Sequence, residues 1–153
     1  MLPREQIGDD LTDNSDSIDG YRFHDVFHLS YAAILGWSPV TRSNLKCKRK
    51  SNPSIDEVQD GGRAIAIEEG ISALVFSYAE KHNFLEGVSI LDDQLLKIIN
   101  NMTSYSLEVS KCSLHDWEKA ILRGYEVWRQ VNENQGGIVI VDLDERSLIY
   151  QSK

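Results

Sequence analysis

Three side chains capable of chemistry, His24, Asp25 and His28, open the run Phe23-His24-Asp25-Val26-Phe27-His28-Leu29-Ser30-Tyr31-Ala32-Ala33-Ile34-Leu35-Gly36, which is otherwise almost wholly apolar. On a helix, the four-residue spacing of the imidazoles puts all three groups within one to one-and-a-half turns. A second acidic cluster is Glu68-Glu69, preceded by Glu57, Asp60 and Arg63. Carboxylates that converge from several helices are how bundle proteins hold metal ions. Hard oxygen ligands suit magnesium or manganese, whose frequent partners are phosphate oxygens. Lys46, Lys48, Arg49 and Lys50 add a cationic grip for phosphate. The candidate metal ligands are therefore Asp25, Glu68, Glu69, Asp60 and His28. Lys46, Arg49 and Arg63 are the candidate substrate contacts.

Each of these residues also has a plainer reading. An acidic pair on a helix is commonly a solvated face or an ion-pair partner. Asp25 needs compensation if buried, and Arg22 or Arg63 would supply it as well as a metal. His24 and His28 fit equally as satisfied core histidines. The Lys46–Lys50 cluster suits the C-terminal end of a helix, where cations complement the dipole. Zinc would require a third ligand that the His-Asp-x-x-His spacing does not provide. A histidine-aspartate phosphohydrolase could use His24-Asp25, but no further histidine-rich motif accompanies it. Neither cysteine nor any serine has a setting that suggests a nucleophile. Gly61-Gly62 and Gly136-Gly137 lack the pattern of a phosphate-binding loop.

The elements that position these groups are predominantly helical. Residues 1–19 form an irregular acidic lead-in, rich in Asp, Asn, Ser and Gly, with Asp19 as an N-cap. The first helix runs from about Tyr21 to Gly36, a suitable stop. Ser38-Pro39 caps and starts a second helix reaching about Arg49. Ser51-Asn52-Pro53-Ser54 is a loop. A third helix extends from Arg63 to about His82, with Ile67, Ile71, Leu74 and Tyr78 along one face. If successive helices alternate in direction, Asp25 and Glu68 lie at similar heights. A fourth helix spans Leu91 to Val109, turning Leu95, Leu96, Ile98, Ile99 and Met102 inward. Ser113 with Asp116 approximates a capping box for a fifth, whose buried stripe is Trp117, Ile121, Tyr125 and Trp128. Residues 137–151 close the chain as a β-hairpin. The expected fold is a mainly α bundle of about five helices with a C-terminal hairpin, a single domain over 1–153.

Composition narrows the partners. A chain of 153 residues can bury roughly 70% of its unfolded surface in one domain. Its formal net charge of −8 argues against nucleic acid or an anionic membrane as partner. No apolar run approaches a membrane span, and no signal peptide is evident at the N-terminus. Cys47 and Cys112 form no CxxC pair and fit reduced thiols. A cytoplasmic setting is expected.

The run His24–Gly36, followed by Asn44-Leu45-Lys46 and Arg49, resembles the ExxD helix and following basic helix of the all-α nucleoside triphosphate pyrophosphohydrolases, the MazG-like superfamily. Ile67-Glu68-Glu69-Gly70-Ile71-Ser72 resembles that superfamily's EExxE helix. Closer still, Ile7–Asn14, Gly20–Asp25, Ser51-Asn52-Pro53 and Asp60-Gly61-Gly62-Arg63 resemble the C-terminal MazG-like domain, found after an ordinary MazG domain in some bacterial proteins. The likeness extends through Gly136-Gly137 and Asp142–Arg146. It implies magnesium-dependent (or manganese-dependent) cleavage of a nucleoside triphosphate to monophosphate and pyrophosphate, in a homodimer or higher homo-oligomer. In such a site metal-held carboxylates activate water and neutralise the phosphate chain. Asp25 matches the aspartate of ExxD, and Glu68 and Glu69 match the leading pair of EExxE, so these three are the implied catalytic residues. Lys46 and Arg49 match the basic positions facing phosphate.

Two positions depart from the pattern. Arg22 stands for the glutamate of ExxD and Ser72 for the third glutamate of EExxE, and the two helices come in reversed order. Two functions are thus expected from one fold. One is a divergent metal-dependent nucleotide pyrophosphohydrolase or nucleotide-binding protein. The other is a non-catalytic oligomerisation or nucleotide-binding module.

Overall fold

Helical periodicity in the chain resolves into short helices around two long ones. The computed structural model describes residues 23–45, 61–103 and 107–153. The acidic lead-in with Asp19, the basic end of the second helix and the Ser51–Ser54 loop lie outside these. Helix α1 (Asp25–Ser30) passes into a π-helical turn, Tyr31–Leu35, and ends at Gly36. Gly36 is left-handed at φ 67°, a conformation that costs a glycine little. Ser38 then caps α2 (Pro39–Asn44): its Oγ accepts the Thr41 N–H at 3.0 Å, and proline fills the first helical position.

Helix α3 (Gly62–Glu80) has a buried face formed by Ala64, Glu68, Ile71, Ser72, Val75, Phe76 and Ala79. Ile67, Leu74 and Tyr78, expected to lead that face, are half-buried at its edge. Both flanks of the helix are apolar, so periodicity alone could not fix which side faces the core. The rotation carries Glu68 inward. A tight turn, Asn83–Leu85, follows, with φ values of 55°, 51° and 64°. Arg129 Nη1 donates to the Phe84 carbonyl at 2.8 Å and braces it.

Helix α4 is shorter than expected, Asp93–Met102. Asp92 caps it by accepting the Gln94 N–H at 2.7 Å. At the other end the Thr103 hydroxyl bonds back to the Ile99 carbonyl at 3.1 Å. The chain is extended again at Leu107, ahead of a 3-10 turn at Glu108–Lys111. Leu95, Leu96 and Ile99 face inward, Met102 is half-buried, and Ile98 is 42% exposed rather than buried.

Helix α5 (Leu114–Asn134) starts with the expected capping box, Ser113 and Asp116 bonding each other's backbone amides. Its stripe of Trp117, Ile121, Tyr125 and Trp128 is buried. Strands β1 (Ile138–Asp142) and β2 (Ser147–Gln151) pair antiparallel, with Val139 opposite Tyr150 and Val141 opposite Leu148. The expected mainly helical fold with a terminal hairpin is what the chain adopts. No helix among the described residues is long and apolar enough to cross a membrane.

The first helical segment is held against α5 by packing and by polar contact. Phe27 stacks on Tyr125 with centroids 4.4 Å apart, and Trp128 and Phe76 close around it. Tyr31 and Trp37 meet Trp117 edge-on. Ser30 Oγ donates to the Ala120 carbonyl at 2.6 Å. Gly124 permits this approach, because a Cβ there would lie 3.1 Å from the Ser30 Cβ. Phe27→Ala would leave a cavity at the centre of the aromatic cluster. It is expected to destabilise the fold by about 3–5 kcal/mol, measured as a lower urea midpoint with an unchanged slope.

Candidate functional site

Glu68 sits on the inward face of α3 with no exposed surface. A carboxylate there is tolerable only with partners that replace its water. The start of α2 and the middle of α1 supply them. Glu68 Oε1 accepts the Val40 N–H at 3.0 Å. Glu68 Oε2 accepts the Ser38 hydroxyl at 2.7 Å and the His28 Nδ1–H at 2.6 Å. Val40 is in the first turn of α2, whose amides have no partner within the helix. The carboxylate thus finishes the cap that Ser38 begins.

His28 carries the compensating charge. Its Nε2 faces Glu69 Oε2 at 3.4 Å without forming a hydrogen bond, so the ring lies between two carboxylates, bonded to one and close to the other. An imidazole that presents both nitrogens to carboxylates is best matched as the doubly protonated cation. Burial by itself pushes the ring toward neutrality, and this is the largest single influence. The contacts and charges of Glu68 and Glu69 together outweigh it and raise the His28 pKa to about 9. Glu69, less buried, is held below the ordinary carboxylate range by its contact with His28, against a smaller opposing effect of burial. The charges of His28 and then His24 act in the same direction.

The remaining candidates fall into two groups. Asp25 is on α1 one turn before His28, partly exposed, with its carboxylate 4.0 Å from His24 Nε2. Arg63 is exposed in the first turn of α3, short of the acid pair. Asp60, Lys46 and Arg49, together with Arg22 and Glu57, lie outside the described residues. Ser72, one turn beyond Glu68, is fully buried, and its hydroxyl has no hydrogen-bond partner among the described residues.

A divalent ion does not fit these residues as they stand. Three donors already occupy the two oxygens of Glu68, and a metal bound there would displace protons from a dry, closed site. The ring of His28 fills the space between Glu68 and Glu69. The third position of the helical motif carries a hydroxyl in place of a carboxylate. Among the described residues no three His, Cys, Asp or Glu side chains are grouped to hold a metal.

Ser38 and the Val40 amide were not evident as partners of Glu68 in the sequence. The signal was present in part: Ser38-Pro39 announces a helix start, and a helix start attracts a carboxylate. Which carboxylate it attracts depends on tertiary packing. Because the folded chain holds the His28 proton more tightly than the ordinary value of 6.5, unfolding releases that proton at intermediate pH. The stabilisation is whole below 6.5 and is lost as pH rises through about 9. The thermal midpoint should therefore decline between these values. Followed by circular dichroism, the same decline should be much weaker in His28→Gln, whose side chain does not titrate.

No curated protein and no solved structure matches the chain. One family model, described as the MazG C-terminal domain, matches residues 1–153. With that match spanning every residue, including the helices that bring His28, Ser38 and Glu68 together, the chain belongs to the MazG C-terminal domain family.

Proposed function

We propose that this domain is a nucleotide-binding module of the MazG-like fold that does not hydrolyse its ligand. The observation that carries this reading is the state of Glu68, a buried carboxylate bonded to His28, Ser38 and the Val40 amide. A hydrolytic centre of the MazG-like type needs its acidic pair directed at metal and water. Here the leading member of the pair is spent on holding α1, α2 and α3 together. Arg22 and Ser72 remove two further carboxylates from the motif positions. The nucleotide side of the reading draws support from family membership and from the cationic residues Lys46, Arg49 and Arg63, which would hold the phosphate chain as charged hydrogen-bond donors. A homo-oligomeric module in the cytoplasm is the setting we infer for it.

The test is direct. Purified protein is incubated with magnesium or manganese and a panel of common and modified nucleoside triphosphates, and pyrophosphate is measured. Release no greater than in the blank is expected. Binding of a fluorescent triphosphate should be retained and should weaken several-fold in the Lys46→Ala, Arg49→Ala double variant, as expected when two charged phosphate contacts are lost. Pyrophosphate release that disappears in Asp25→Ala and Glu69→Ala would overturn the proposal in favour of metal-dependent hydrolysis.

A further inference from the structure

The disagreement between the acidic pair and a metal ion has a specific geometric source. Glu68 and Glu69 are adjacent on α3, and each presents an Oε2 to a different nitrogen of the same ring, at 2.6 and 3.4 Å. The ring is almost fully buried and is further packed edge-on against Tyr31, with centroids 6.0 Å apart. A cation bridging the two carboxylates and the ring of His28 would claim the same space. They cannot be present together without moving α1 away from α3. We propose that His28 is a built-in substitute for a divalent cation, and that Glu68 and Glu69 form a latent cation site which opens only when this ring is removed.

Three features of the surroundings favour occupation of that latent site. Glu68 would lose its strongest donor and be left buried with only two neutral donors, the Ser38 hydroxyl and the Val40 amide. Such a charge is costly unless it is protonated or paired. Glu69 is 43% exposed, so an ion could enter from that side and keep some of its water. Magnesium and manganese bind readily in this half-hydrated way, through one or two carboxylates. Ser72, four residues along the same helix from Glu68, is buried with an unpartnered hydroxyl in place of a third carboxylate, so no further acid on this face competes for the ion. The inference concerns the same ion pair as the proposed function, but its test contains no nucleotide. A failed nucleotide-binding experiment therefore leaves it standing, and its own failure leaves the nucleotide reading standing.

The experiment compares manganese binding to the whole chain with and without the ring. Isothermal calorimetry and thermal unfolding are run on the wild type, His28→Ala, and the double variants His28→Ala, Glu68→Gln and His28→Ala, Glu69→Ala. The wild type should show no manganese-dependent rise in midpoint. His28→Ala should show a heat of manganese binding that the wild type lacks, and its midpoint should rise with manganese concentration, as it must when a ligand prefers the folded state. Both double variants should lose that response. Equal affinity in the wild type and His28→Ala, or a folded His28→Ala that takes up no manganese, would overturn the inference. Removing one partner of a buried pair costs about 3–5 kcal/mol, so His28→Asn, which retains one donor for Glu68, is measured alongside. If His28→Ala is unfolded without metal, recovery of its helical circular dichroism on adding manganese supports the inference. No recovery, together with a His28→Asn that ignores manganese, refutes it.

Discussion

The packing of α1, α2 and α3 turns on satisfying one carboxylate inside the protein. Glu68 is on the core face of a 19-residue helix, among Ala64, Ile71 and Val75. Alone, such a charge would take up a proton or drag the helix face toward water. Two segments bring donors to it: α1 its imidazole, and the start of α2 the Ser38 hydroxyl and a first-turn amide. The interaction therefore fixes relations that apolar packing leaves loose. α2 is only six residues long and has few side chains with which to define its own place. Its seat is defined by the carboxylate at its N-terminus.

A buried ion pair is weak evidence for net stability, since desolvation can cancel the attraction. Its value here is better described as selectivity among packings. α3 is apolar on both flanks, and several rotations about its axis would bury similar hydrocarbon area. The observed rotation lets Glu68 reach His28 and Ser38 while Glu69 stays half in water. Any other leaves a buried charge uncompensated or a buried imidazole without its acid. Polar groups that can be satisfied in one arrangement alone are an effective way to reject the others. The Ser30 hydroxyl bonded to Ala120 and the close approach at Gly124 do for the α1–α5 contact what Glu68 does for α1–α3.

Much of this was legible in the sequence, and the failures are instructive. The stop at Gly36, the Ser38-Pro39 start, the Ser113–Asp116 box and the Trp117–Trp128 stripe are written in local residue types, and local chemistry decided them. The hairpin was equally plain from two β-rich runs around a turn. The apolar pattern predicts a longer fourth helix because Leu91 and Val109 continue it, whereas Asp92 and Thr103 bound the helix by side-chain bonds to the backbone. Only half of the site is encoded locally. Glu68 and His28 stood out as ionisable groups on apolar helices, but periodicity cannot distinguish a carboxylate facing metal from one facing an imidazolium. That choice is made by what lies across the interface, and Ser38 comes from a segment whose position no local pattern encodes.

This also bears on what a motif carries when its context changes. The paired glutamates of α3 keep their spacing, but their chemistry is set by neighbours rather than by spacing. With Ser72 in the third position and Arg22 at the start of the first motif, two carboxylates that would draw in a divalent ion are missing from the motif positions. A single imidazole faces both carboxylates of the pair, and it differs from an ion in one respect. It is covalently attached to α1, so compensating Glu68 and positioning α1 are the same event. In a metal-holding bundle the ion can leave and the carboxylates repel one another, so the helices can loosen. In this domain the group that faces Glu68 is part of α1, so the acidic helix is bonded directly to its neighbour.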